Sequence, residues 1–292
     1  MTLRDDVNGV AECTDASGEV PALRCLRRWP HGPADGATRV KRARRVDVRD
    51  PPSPRAAFTA RNSRDPPRAF GLCHDCLVDE TFFIDIWSDV VCPFCYLGTR
   101  QLEMAVERFA HGDVAVIRRH AFELDPHAPT ISTLPLAEGL AKKYDLSLDQ
   151  ARSLNQRLEN EAMELGMRWR LDIARPTSTF DAHRLIALAA TQDLGRAMSD
   201  RLFRAYFSEG AVLADRATLD ELAGETGVEG VTSLWDGDEF TRDVRNDERA
   251  AEDLGISGVP SVLLDDTFMV VGAQGAPHFL EALDRAWLRR KD

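Results

Sequence analysis

Two cysteines at Cys-x-x-Cys spacing lie in Trp87-Ser88-Asp89-Val90-Val91-Cys92-Pro93-Phe94-Cys95-Tyr96, where a strand pattern hands over to a helical one. Upstream, Phe82, Phe83, Ile84, Ile86 and Trp87 form an apolar run broken only by Asp85, which reads as a buried strand. Downstream, Leu97, Leu102, Ala105, Val106 and Phe109 recur at helical spacing. Cys92 is therefore expected at the first turn of a helix and Cys95 one turn further in. The first N–H groups of a helix lack internal partners and carry partial positive charge, so a thiolate is favoured there. Helix starts and Cys-x-x-Cys motifs lower a thiol from about 8.5 to roughly 3.5–7.5. Cys92 reads as the attacking sulfur and Cys95 as the resolving one. Pro93 suits the first helical turn, where its missing N–H forfeits no hydrogen bond. The competing readings are half a zinc site or a chance pair. No second Cys or His pair follows downstream at finger or ribbon spacing, and no metal is expected.

Length and charge narrow the setting. The 292 residues suffice for a core without disulfides, and six scattered cysteines do not make a disulfide scaffold. No stretch approaches the roughly 18–20 apolar residues of a membrane span, so no membrane partner is expected. The start, with Asp5, Asp6, Glu12, Asp15 and Glu19, lacks a basic, apolar secretory leader, and a cytoplasmic location is expected. The net charge of −11 is uneven: residues 1–80 carry 14 basic against 12 acidic side chains, leaving −13 on the remainder. That acidic body argues against nucleic acid as a partner.

Residues 1–78 hold Asp-Pro, Ser-Pro and Pro-Arg clusters and no sustained hydrophobic period, and read as a disordered extension. Their basic run, Lys41-Arg42-Ala43-Arg44-Arg45, has Asp47 and Asp50 close behind and no interleaved aromatic, which weakens a nucleic-acid-arm reading. Cys73-His74-Asp75-Cys76 repeats the cysteine spacing without a helix to organise it. Its functional readings are a metal site or a dithiol feeding Cys92.

From residue 79 the pattern becomes regular. Val114 to His120 reads as a second strand, parallel to the first because a helix connects them. Five helical patterns follow: 136–144, 147–165 with a Ser147/Gln150 capping box, 180–192, 195–208 and 216–226. Ser261 to Leu264 and Phe268 to Val271 then form a hairpin across Asp265-Asp266-Thr267, and a helix with Phe279, Leu280, Leu283, Ala286, Trp287 and Leu288 closes the chain. The fold class is α/β, a thioredoxin fold with an all-α insertion. Its first β-α-β half spans 79–130, the helical insertion 131–240 and the β-β-α half 241–292. Pro260, heading a strand in Gly258-Val259-Pro260-Ser261, belongs at a strand start or special turn. In such a fold it lies beside the dithiol. A cis Val259–Pro260 bond there would leave the Val259 backbone free to pair with an extended peptide, although only about 5–6% of X-Pro bonds are cis.

With these residues assembled, residues 81–290 resemble the DsbA-like thioredoxin-fold oxidoreductases. Within them the similarity is to the FrnE-like subgroup, described as polyketide biosynthesis dithiol-disulfide isomerases. The resemblance runs through Trp87–Gly98, Phe122-Glu123-Leu124, Thr179–Leu185, Gly255–Val262 and Gly272-Ala273-Gln274. It implies Cys92 as nucleophile, Cys95 as resolving thiol and Pro260 as the cis proline of a substrate groove that Val259, Pro93 and Phe94 also line. Strongly oxidising relatives carry a histidine inside the motif, where this chain has Phe94. That departure implies a weaker oxidant, closer to a reductase or isomerase.

The expected activity is thiol–disulfide exchange on protein or peptide disulfides, or on a small metabolite. The cofactor is the redox-active disulfide itself, with glutathione or thioredoxin as exchange partners. The rivals are glutathione-dependent kappa-type transferases and 2-hydroxychromene-2-carboxylate isomerases, which typically lack the second cysteine, and a non-catalytic binding module. His183 is expected in the core of the insertion and Trp87 beside the active-site helix. Asp85 and Asp89 are candidates for handling a proton near Cys95.

Overall fold

In this computed structural model the described residues are 81–130 and 134–290. The Cys73–Cys76 pair, the basic run at 41–45 and the rest of the extension lie outside them. Strand β1 (Phe82–Ser88) leads into helix α1 (Pro93–Val106), a 3₁₀ turn (Gly112–Val114) and strand β2 (Ala115–Ala121). Helices α2 (Leu136–Tyr144), α3 (Leu148–Glu164), α4 (Phe180–Ala190) and α5 (Gly195–Arg204) follow, the last running into a π-helical turn (Ala205–Glu209). Then come α6 (Arg216–Thr226), α7 (Val231–Asp236), α8 (Thr241–Asp253), β3 (Ser261–Leu264), β4 (Phe268–Val271) and α9 (Ala276–Arg289). Among the described residues no helix is long and apolar enough to cross a membrane.

The strands form one sheet in the order β2-β1-β3-β4. β1 runs parallel to β2, with Ile84 opposite Ile117, and antiparallel to β3, with Ile86 opposite Val262. The β3–β4 turn places Asp265 and Asp266 at φ 47° and 55°, a conformation that aspartate tolerates better than most residues. Alternation along β1 decides its two faces. Phe82, Ile84 and Ile86 join Leu102 and Ala105 of α1 and Phe279, Leu283 and Ala286 of α9 in one apolar core. A second core fills the helical region and includes Leu185, Leu202, Phe203 and Leu219 together with Val90, Cys92, Cys95 and Leu97. Helix α1 thus belongs to both.

Between the strands the structure has more helices than the five expected. Helix α8 has no apolar stripe to announce it, because its sequence, TRDVRNDERAAED, buries only Val244 and Ala251. Helix α7 is a six-residue helix with one buried side chain, Leu234. Carbonyls at its end and just after it are satisfied from elsewhere: buried Arg184 of α4 donates to the carbonyl oxygens of Leu234, Gly237 and Glu239 at 2.6, 2.8 and 2.9 Å. The capping box at α3 is present, Ser147 and Gln150 each accepting from the other's backbone N–H.

The other face of β1 carries Asp85 and Trp87 and is packed by α8. Asp85 accepts from Arg118 at 2.7 and 2.6 Å, and its Oδ1 lies 2.7 Å from His120 Nε2. His120 Nδ1 lies 2.8 Å from Asp247 of α8, whose other oxygen accepts from the Ala121 N–H at 2.9 Å. Trp87 stacks on His120 at 4.5 Å and donates to the Asp247 carbonyl, so it packs against β2 and α8 and not, as expected, beside the active-site helix. Burial alone would lower the His120 pKa, but the two carboxylates outweigh it and raise it from 6.5 to about 9. Burial likewise pushes Asp85 up, and His120 and Arg118 hold it below the ordinary carboxylate range.

A group held above its unfolded pKa stabilises the fold below that unfolded value and loses the contribution as pH rises through the folded one. His120 therefore contributes fully below pH 6.5 and progressively less toward about 9, a change on the order of 3 kcal/mol. Denaturant unfolding followed from pH 6 to 9.5 should show this decline. His120→Gln should flatten it, with a larger loss at pH 6 than at pH 9.5.

Candidate active site

Strand β1 ends at Ser88, and the chain turns through Asp89–Val91 into α1. The Cys92 N–H donates to the Asp89 carbonyl at 3.0 Å, which closes that turn. Cys92 is the N-cap of α1, with φ −89° and ψ 117°, and Pro93 is the first helical residue. The Cys92 carbonyl accepts from the N–H groups of Cys95 and Tyr96 at 3.1 and 3.2 Å. Its side chain makes no capping bond to the helix. Instead its sulfur faces the chain before β3, donating to the Val259 carbonyl at 3.7 Å.

Both sulfurs are free thiols. They differ in access: Cys92 keeps 4% of its surface exposed and Cys95 none. Burial pushes the Cys95 thiol well above its ordinary value, and the neighbouring Cys92 sulfur adds to the shift. Cys92 is thus the more accessible of the two sulfurs.

The Val259–Pro260 bond is cis. The Pro260 carbonyl accepts from the Gly272 N–H at 2.8 Å, and Ser261 Oγ donates to the Gly258 carbonyl at 2.8 Å, so the loop is held on both sides of the proline. Pro93, Val259 and Pro260 thus gather with the two cysteines, and Phe94 extends outward, 44% exposed. Tyr144, at the end of α2, is also exposed; burial first and then the Cys92 charge raise its pKa, which places its phenol within electrostatic reach of that sulfur. No sequence signal marked Tyr144.

Of the two acids considered for proton handling, Asp85 is committed to Arg118 and His120 and is not at the dithiol. Asp89 is. Its backbone N–H donates to Cys95 Sγ at 3.4 Å, and its buried carboxylate accepts from the N–H groups of Val91 at 3.4 Å and Leu124 at 2.8 Å. His183, placed on α4 by the pattern around Phe180, is buried with Nε2 3.5 Å from Asp89 Oδ1. Glu123, in the segment after β2, is paired with Arg245 of α8 at 2.7 Å. Burial nonetheless holds its pKa above the ordinary value.

Helix α1 is fixed from the helical side by rings. Tyr96 stacks on Phe203 at 4.6 Å and on Trp169 at 5.5 Å, and Trp169 stacks on Phe207 of the π-helical turn at 4.7 Å. From the other side it is fixed by a close approach. A Cβ on Gly98 would stand 2.8 Å from Pro260 Cγ, nearer than real Cβ contacts come, and 3.6 Å from Ala273, an ordinary contact. Gly98→Ala should therefore push the Pro260 loop off α1, costing about 1–3 kcal/mol and slowing reaction of Cys92 with a disulfide. Gly224→Ala in α6, where an added Cβ meets nothing within 4 Å, should raise the denaturation midpoint slightly and leave that reaction unchanged. Unfolding curves and Cys92 reaction rates on both variants check this.

Comparison with known proteins agrees with this geometry. Residues 83–284 match the family profile described as DSBA-like thioredoxin domain. A probable DsbA oxidoreductase from Streptomyces coelicolor, known as a crystal structure, is 36% identical, covers 70% of this chain and 90% of its own, and superposes with a TM-score of 0.68. The uncharacterized protein YwbO of Bacillus subtilis is 27% identical over 207 residues, 70% of this chain and 96% of that protein. A putative protein disulfide isomerase from Nitrosomonas europaea shares the fold at 14% identity with a TM-score of 0.55, covering 73% of this chain and all of its own.

Proposed function

Because the chain belongs to the DSBA-like thioredoxin domain family, whose members exchange thiols and disulfides, we propose that it is a thiol–disulfide oxidoreductase or isomerase working through the Cys92-Pro93-Phe94-Cys95 dithiol. The observation that carries this reading is the asymmetry of the pair: Cys92 at the head of α1 with a remnant of exposure, Cys95 buried one turn in, and the Val259 carbonyl over the first sulfur. Cys92 attacks a substrate disulfide to give a mixed disulfide. Cys95 then attacks Cys92 and releases the substrate thiol; oxidation is the reverse. The exposed ring of Phe94, two residues from Cys92, and that of Tyr144, within electrostatic reach of the same sulfur, favour protein or peptide substrates, which can lay apolar side chains there. In the cytoplasmic setting expected from the sequence, stable disulfides are rare. Its substrates would then be disulfides formed under oxidative stress or in a small metabolite, with glutathione or thioredoxin closing the cycle.

Insulin reduction with dithiothreitol tests the reading. Wild type should be active, and Cys92→Ser and Cys95→Ser should each lose about a hundredfold or more, Cys95→Ser accumulating a mixed disulfide on Cys92. Glutathione conjugation retained in Cys95→Ser would instead favour a transferase, and an inactive wild type a binding module.

The motif's inner residue sets a second expectation. Phe94 offers no charge to a neighbouring thiolate, so the pair should have a reduction potential below the about −120 mV of DsbA and nearer the about −270 mV of thioredoxin. Phe94→His places a cation beside Cys92, stabilises the reduced form and should raise the potential by about 30 mV or more, a tenfold change in the exchange constant. Equilibration with glutathione buffers measures both values.

A further inference from the structure

Behind the dithiol lies a file of buried polar side chains that the exchange reaction as written leaves idle. Cys95 has no exposed surface, so the proton it must lose before its sulfur attacks has no direct route to water. The acceptor has to be internal. Asp85 is occupied on the other face of the sheet. Asp89 touches Cys95 through its backbone N–H, its carboxylate is buried, and that charge is felt at the Cys95 thiol.

His183 of α4 stands next in the file. Its ring is 4% exposed, and its Nε2 stops 3.5 Å from Asp89 Oδ1 without forming a hydrogen bond to any group. An unpaired buried nitrogen is costly, on the order of 1–3 kcal/mol, and buried polar groups are nearly always paired. The gap is explained if a proton arrives there during turnover and closes it into a charge-assisted bond. The other charged groups around the imidazole leave this role open to it. Glu123, adjacent to Leu124 whose N–H donates to the Asp89 carboxylate at 2.8 Å, is held by Arg245, which also binds Glu248 at 2.6 Å and reaches the surface, 42% exposed. Tyr206 lies near Asp89 with its phenol buried. Arg184, one residue on, is consumed by Asp181 and by carbonyls at the end of α7 and just beyond it.

We propose that Asp89 and His183 form the proton relay of Cys95, with Glu123 and the Arg245–Glu248 pair marking its exit to solvent. This rests on the exchange assigned to Cys92 and Cys95 above. When a substrate sulfur is joined to Cys92, the Cys95 thiol gives its proton to the Asp89 carboxylate, and His183 shares it across the closed gap. The Cys95 sulfur forms its bond to Cys92, the bond from Cys92 to the substrate sulfur breaks, and the electron pair leaves with the substrate thiolate, which takes a proton from water. Two electrons have passed from the dithiol to the substrate disulfide, and the relay proton leaves past Glu123. Asp89 is the catalytic member; His183 acts through it as a positioning residue.

The test uses 5,5′-dithiobis(2-nitrobenzoate) on the full reduced chain. Attack by Cys92 releases one coloured thiolate, and resolution by Cys95 releases a second in a separate phase. His183→Asn and Asp89→Asn should slow the second phase by about tenfold or more near pH 7 and leave the first within about twofold. Their second phase should accelerate by about tenfold per pH unit from 7 to 9, following the unassisted thiol, where the wild-type rate is flatter. An unchanged second phase, or equal loss in both phases, overturns the relay with exchange intact. A wild type without a first phase overturns the exchange reading and the relay with it. Should both variants unfold, ¹⁵N imidazole spectra of wild type decide. His183 should differ in protonation or tautomer between dithiol and disulfide forms, and identical spectra overturn the proposal.

Discussion

The Pro260 ring sits where a side chain on Gly98 would have to be, and this contact sets the distance between α1 and the strand that enters the sheet from far along the chain. Without a Cβ at that position the loop before β3 can close on the helix, and the Val259 carbonyl arrives over Cys92. On the opposite side Tyr96 is stacked into the rings of Phe203 and Trp169. Farther along α1, Leu102 and Ala105 are sunk against β1 and α9. The helix is thus gripped on three sides along four turns. A close-packed interior transmits small volume changes, so the two sulfurs inherit their placement from contacts made by neighbours that do no chemistry.

The same grip accounts for the difference between the sulfurs. One position at the N-cap and one a turn later are the least separation that puts the first at an entrance and the second in the core. Between them stands only Pro93-Phe94, a residue that fixes the backbone and a ring that faces outward.

Much of this was legible in the sequence because it is written in local patterns. The apolar run of β1, the helical spacing after Cys95, the Ser147/Gln150 box and the hairpin at Asp265-Asp266 each follow from a few adjacent residues. Helix α8 escaped because a helix that meets the sheet largely through polar contacts shows no apolar stripe; Asp247 attaches it where a leucine would otherwise be expected. The surroundings of Trp87 and Asp85 escape the sequence for a related reason. Alternation shows that they share a face of β1, but not that this face is covered by a charged helix and not by α1. Tyr144 and His183 reach the site from the helical region across gaps of dozens of residues, and no spacing rule links them to Cys92 or Asp89. The fold therefore followed from periodicity and the dithiol from its motif, while the surrounding polar groups required coordinates.

Two polar networks flank β1, and they differ in how completely they are paired. On the α8 face Asp85, Arg118, His120 and Asp247 answer one another with contacts of 2.6–2.8 Å. A fully paired network of this kind in low dielectric is rigid, and changing the charge of any member is expensive. At the dithiol Asp89 is paired through one set of contacts, while His183 holds back at 3.5 Å with a nitrogen unpaired. A group that must accept and release a proton cannot be locked into a charge state by its neighbours, so the looser network is the one suited to stand beside the sulfurs. Had the saturated cluster been placed next to Cys95, its ion pairs would have fixed the local charge and left the buried thiol with no partner able to change state with it.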